Sequence, residues 1–190
     1  MKKVFQLVAA TCFAFAILLT SSTTFAQGAR PVASPRDSVS AKVAGATISI
    51  NYGSPSVKGR KIFGGLEPYG KLWRAGANQA TTFTTDKDIT VEGKKLPAGK
   101  YTFFAVPGEK EWKIVFNSQV GQWGITGGPN GTQANADPAK NVLEATVTAK
   151  TATATDRLQR WYAVESLKYV INATGFSLIW ENTEVPVSIK

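Results

Sequence analysis

From Ala46 to Tyr52 the chain alternates with period two: Ile48, Ile50 and Tyr52 share one face, and Thr47, Ser49 and Asn51 the other. Successive side chains of a strand point to opposite faces, so this pattern predicts a half-buried strand. The signature recurs. Val39, Ala41 and Val43 are spaced by two, Trp112, Ile114 and Phe116 alternate with Lys113 and Val115, and Phe176, Leu178 and Trp180 alternate, as do Val185, Val187 and Ile189. The Thr-rich run 80–85 around Phe83, the β-branched run 89–91, the aromatic run 101–106 and the segments 142–148 and 161–171 complete the predicted strands. Turn-forming residues separate them at 86–88, 92–94, 96–99, 107–108 and 172–175. Residues 121–137 hold few large apolar groups and the run Gly127-Gly128-Pro129-Asn130-Gly131, which predicts a mobile loop. A Thr/Ala loop is predicted at 151–155 and one helical turn at 156–160. No segment sustains a helical apolar period. The expected architecture is all-β: a single antiparallel β-sandwich, jelly-roll-like.

The N-terminus reads differently. Lys2 and Lys3 precede an apolar run, Val4 to Leu19, and Thr24-Phe25-Ala26 precedes Gln27. This is the pattern of a secretory signal peptide over 1–26, and its apolar core is short for a membrane span. The expectation is therefore an exported protein, periplasmic or extracellular, with no stable membrane span after cleavage. A flexible, Pro-containing leader is expected over 27–37, and the sandwich over 38–190.

Composition narrows the chemistry. The chain has no histidine, and its single cysteine, Cys12, lies within the signal peptide. The mature fold therefore rests on packing and backbone pairing without disulfides. Cys/His zinc sites, thiol nucleophiles and imidazole acid–base catalysis are excluded, and no cofactor or metal site is expected. The formal charge is +9, and +7 once Lys2 and Lys3 are removed. That balance suits either a polyanionic partner or a merely soluble surface. Nucleic acid is not expected, because no reading motif is present.

The densest meeting of cations, glycines and aromatics is the interrupted stretch Pro55–Gly76. Lys58, Arg60, Trp73 and Arg74 within it, and Asn78 and Gln79 just beyond it, are the candidate ligand-binding residues. An indole face stacks on sugar C–H surfaces, and a guanidinium forks onto carboxylate or phosphate. The competing reading is structural: Trp73 plugs one end of the sandwich, Arg74 stacks or pairs, Lys58-Gly59-Arg60 is an exposed turn, and Asn78 bonds backbone. Two acid pairs at spacing two, Asp86/Asp88 and Glu109/Glu111, are the only hint of carboxylate catalysis, and both fall at turns.

The blocks Pro55-Ser56-Val57-Lys58-Gly59-Arg60, Ile62-Phe63-Gly64, Pro68-Tyr69-Gly70, Trp73-Arg74-Ala75-Gly76-Ala77-Asn78 and Leu96-Pro97-Ala98-Gly99-Lys100-Tyr101 resemble those of a secreted bacterial family, domain of unknown function 2911. Glu111-Trp112 and Gln122-Trp123-Gly124 fit its later blocks. The resemblance implies bacterial origin, export and a β-rich domain, and carries no catalytic residues. Gln79 stands where the resemblance leads one to expect an acid.

Together these features point to a non-catalytic module that binds a polar or anionic cell-envelope ligand, such as a glycan. The alternatives are a carboxylate-dependent hydrolase and a structural or protein-interaction module docking through aromatics such as Trp123.

Overall fold

The period-two runs pair as the pattern requires. The computed structural model describes residues 33–128, 131–152 and 164–190. The strands are β1 (Arg36–Val43), β2 (Ala46–Gly53), β3 (Thr82–Thr85), β4 (Ile89–Val91), β5 (Lys94–Leu96), β6 (Gly99–Val106), β7 (Glu111–Asn117), β8 (Ile125–Gly128), β9 (Gly131–Ala134), β10 (Asn141–Thr148), β11 (Lys150–Thr151), β12 (Val164–Asn172), β13 (Gly175–Glu181) and β14 (Thr183–Ser188). One sheet has six strands in the order β1-β2-β3-β6-β7-β10, and a second has four in the order β11-β14-β13-β12. All strand pairs are antiparallel. This is the expected all-β, sandwich-like arrangement.

The apolar faces of the two sheets close on each other. Tyr52 of the large sheet meets Tyr169 of the small one with ring centroids 4.7 Å apart, and Phe103 meets Phe176 at 5.5 Å. Ile48, Ile50, Phe83, Ile114, Phe116, Leu178, Val185 and Val187 fill the space between, all buried. Each such side chain contributes about 1.5–3 kcal/mol through removal from water.

The opposite, outer face of the large sheet is divided. Phe104 and Val115 point outward yet are buried. The segment after β7 lies over this part: Thr102 donates its hydroxyl to the Gln119 carbonyl at 2.6 Å, and Asn117 donates its amide to the Asp137 carbonyl at 2.8 Å. Over β2 and β3 the outer face stays open.

Three expectations need correction. Residues 121–137 are not merely a mobile loop, because β8 and β9 form an antiparallel ribbon from Ile125↔Ala134 to Gly128↔Gly131. Its Gly and Thr residues pair through backbone with little apolar payload, so no alternation announces it. The segment 94–96, read partly as turn, is β5, which pairs with β4. The leader ends sooner than residue 37, since β1 starts at Arg36 and the Pro35 carbonyl accepts from the Ser54 N–H at 2.8 Å. Proline lacks an N–H but keeps its carbonyl, so a polar, Pro-containing segment is held by backbone bonds that hydropathy does not register. The expected signal peptide, the helical turn at 156–160 and the start of the 161–171 strand lie outside the described residues.

Candidate functional site

The interrupted loop does not gather its candidates into one patch. Trp73 is drawn inward by an antiparallel bridge to β6, its N–H donating to the Ala105 carbonyl at 2.7 Å and its carbonyl accepting from Ala105 at 2.9 Å. Its indole is 3% exposed, edge-on to Phe63 and Trp112 and stacked on Trp180. A ring so enclosed offers no face to a ligand. Arg74, next in the chain, emerges on the outer side. A Cβ built on Gly124 would lie 2.1 Å from Arg74 Cδ, so the arginine stem rests directly on that backbone. Its Nε is buried with no partner among the described residues.

Lys58 and Arg60 lie on a turn beside the small sheet. The Lys58 N–H donates to Glu165 Oε1 at 3.0 Å, and the Arg60 guanidinium folds back to donate to the Val57 and Ser56 carbonyls at 2.9 and 2.6 Å. Both are exposed and shape a turn in which Lys58 has φ 49°. Asn78 has φ 62° and donates its side-chain amide to the Ser34 carbonyl at 3.1 Å, so it fastens the start of the domain. The side chains of Arg60, Trp73, Arg74 and Asn78 thus hold backbone or pack, and Lys58 is an exposed turn residue bonded through its backbone; Gln79 is placed differently.

Gln79 lies on the wall of a groove of about 430 Å³ on the open outer face of the large sheet. The floor is the wet side of two predicted strands: Ser49 and Asn51 from β2, Thr82 and Thr84 from β3. Gln79-Ala80 and Gly121-Gln122 form a wall, tied together where the Ala80 N–H donates to the Gln122 carbonyl at 3.3 Å. Two cations complete the lining, Arg36 from β1 and Lys100 from β6, and no acid takes part.

Register explains the arrangement. Ser49 pairs with Thr84 and Thr84 with Lys100, while Asn51 pairs with Thr82 and Thr82 with Thr102. Directly paired residues share a face, so two cross-strand rows of hydroxyl, amide and ammonium groups run side by side. The Arg36 guanidinium is preset over this floor, donating to Asn51 Oδ1 and, at 3.3 Å, to the Gln79 carbonyl. Although Arg36 is exposed, enough of it is covered for burial to lower its pKa below the ordinary arginine value. Beside the wall stands Trp123, 53% exposed and paired with Gln79 across an antiparallel bridge. Apart from Gln79, the groove residues were missed: Ser49, Asn51, Thr82 and Thr84 are ordinary polar positions of half-buried strands, and Gln122 lies on a loop. The available signal was that cations sit at two such positions, Arg36 and Lys100.

The acid pairs do not face each other across a cleft. Asp86 Oδ1 accepts from the Thr47 N–H at 2.6 Å and Asp88 Oδ1 from the Ala98 N–H at 2.8 Å, each tying its turn to another segment of the chain. Glu109 and Glu111 are exposed at the β6–β7 hairpin. Among the described residues, no group of three or more carboxylate, thiol or imidazole side chains is placed to hold a metal ion.

Two antiparallel sheets, the larger with a polar groove on its outer face, define an all-β, sandwich-like domain. The family described as "Protein of unknown function (DUF2911)" matches residues 34–189, and the chain belongs to it. No curated protein and no solved structure matches the chain.

Proposed function

We propose that this is an exported, non-catalytic binding module whose outer groove takes an acidic carbohydrate of the cell envelope. One observation carries the reading: a concave polar floor holds two cations and no acid, and an exposed indole, Trp123, is bridged through its backbone to the wall residue Gln79. Carbohydrate recognition needs hydroxyl and amide partners for sugar hydroxyls and an aromatic face for the C–H side of the ring. Ser49, Asn51, Thr82 and Thr84 supply the first, and Trp123 the second. Arg36 and Lys100 supply the counter-charge for a carboxylate or phosphate. Relative to the sequence expectation, the ligand class stays and the site moves from the residues in and just after the Pro55–Gly76 stretch to the sheet face, with Gln79 common to both.

The test is titration of the folded domain with uronic-acid oligosaccharides, followed by indole fluorescence and calorimetry. Arg36→Ala and Lys100→Ala should each weaken binding about tenfold, the scale of a charge-assisted hydrogen bond, and Trp123→Ala should abolish the fluorescence response. Binding should weaken further as salt rises. Unchanged affinity in all three variants would remove the groove from the reading.

A further inference from the structure

The two cations of the groove are set apart, and what lies between them is uncharged. The Arg36 guanidinium is held at Asn51 on β2, whereas Lys100 stands on β6, two strands away. Asn51 and Thr102 occupy one cross-strand row through Thr82, and Lys100 is two residues along from Thr102. With strands about 4.8 Å apart and a rise of about 3.4 Å per residue, the Asn51 and Lys100 backbones are about 12 Å apart on the diagonal. An occupant that meets the guanidinium where Asn51 holds it and the ammonium above its own strand must extend along this diagonal.

The groups along that diagonal are hydroxyls. Thr81, Thr85 and Thr102 all spend their hydroxyls on backbone carbonyls, those of Ala75, Lys87 and Gln119. Ser49, Thr82 and Thr84 make no side-chain hydrogen bond to another described residue, and these are the three that line the groove. The floor therefore presents cation, neutral donors and acceptors, then cation.

Resting on the proposed function, we infer that the groove reads spacing: it takes an extended polyanion with acids on alternate units, one on Arg36 and the next on Lys100, and a neutral hydroxylated unit over Thr82 and Thr84. The occupant lies diagonally across β2, β3 and β6. A chain of this kind gains from bridging, because the second contact is intramolecular once the first has formed.

Calorimetry with defined oligosaccharides tests this. The probes are a hyaluronan disaccharide with one uronate, the tetrasaccharide with two uronates on alternate sugars, and an oligogalacturonate tetramer with an acid on every sugar. The tetrasaccharide should bind at least about tenfold tighter than the disaccharide, and the oligogalacturonate no tighter than the tetrasaccharide. Arg36→Ala and the exposed-site variant Lys100→Gln should each bring the tetrasaccharide down to the disaccharide's affinity, with the thermal midpoint as the folding control. Equal affinity for one and two uronates, or a gain that survives either substitution, overturns the spacing inference and leaves the groove as a simple anion site. Tighter oligogalacturonate binding overturns the neutral centre. Absence of binding to all three probes overturns both this inference and the reading beneath it.

Discussion

Trp73 and Trp180 lie nearly parallel across the two layers, with ring centroids 5.9 Å and planes 17° apart, and neither buried indole N–H has a hydrogen-bond partner among the described residues. Phe63 stands edge-on to both, at 5.7 and 5.9 Å. The pair joins the loop to the small sheet by packing alone. Trp73→Ala should therefore destabilise the domain by about 3–5 kcal/mol. Trp73→Phe should cost less, since it forfeits ring volume but no hydrogen bond. Urea midpoints of the three proteins at unchanged slope check this, and a Trp73→Ala midpoint equal to wild type would refute the packing role.

Glu67 gives the same loop a pH dependence. It is half-buried, and burial pushes its carboxyl up from 4.5 to about 7 against the pull of the Arg74 and Arg60 guanidiniums. The folded state thus keeps a proton that the unfolded chain releases near 4.5. The associated stability is present in full below 4.5 and is lost as pH rises toward about 7. Relative to Glu67→Gln, which has no proton to lose there, wild type should become progressively less stable between those pH values and hold a constant deficit above them. Urea unfolding of both proteins at several pH values across that window measures the difference; a constant gap would refute the burial of this carboxyl.

The strands were legible wherever one face is apolar. Ile48/Ile50/Tyr52 and Phe176/Leu178/Trp180 alternate in the sequence and point between the sheets in the fold. The burial of Trp73 matches the competing structural reading, but its partners were not legible, because the rings that enclose it, Phe63, Trp112 and Trp180, come from three separate parts of the chain. The groove was hidden for a related reason. Wet positions such as Ser49 and Thr84 are visible as wet, but whether a wet face is flat or concave depends on strand order and on the segment after β7 that roofs Thr102 and stops short of Thr82. Asn78 and Arg60 were noticed for their chemistry, yet the nearest unmet need in each case was a backbone carbonyl.

Asp86 tests whether the turn acids are structural. Its carboxylate is fully exposed, and the Thr47 N–H hydrogen bond holds its pKa below the ordinary 3.8. The contribution is present above pH 3.8 and is lost as pH falls through the lower folded-state value. Asp86→Ala should therefore be less stable than wild type near neutrality, with the gap closing in acid. Thermal midpoints of both proteins from neutral pH downward decide it. A gap that persists unchanged in strong acid would mean that Asp86 acts through something other than its charge.

Gly124 fixes how the groove wall meets the loop. A Cβ there would lie 2.1 Å from Arg74 Cδ, 2.7 Å from the Asn78 carbonyl oxygen and 3.2 Å from the Ala80 nitrogen. The arginine stem has some room to swing, but the two backbone atoms do not. They are held because the Gly124 N–H donates to that same Asn78 carbonyl at 3.0 Å and the Ala80 N–H to the Gln122 carbonyl. Gly124→Ala must therefore push apart the two segments that form the wall, at a cost of about 1–3 kcal/mol. Because Gln79 and Gln122 both belong to that wall, the same substitution should weaken ligand binding with every floor and charge residue intact. Chemical unfolding and oligosaccharide titration on the one variant read both effects. Full stability would show that the close approach relaxes freely; lost stability with unaltered affinity would show that the wall takes no part in holding the ligand.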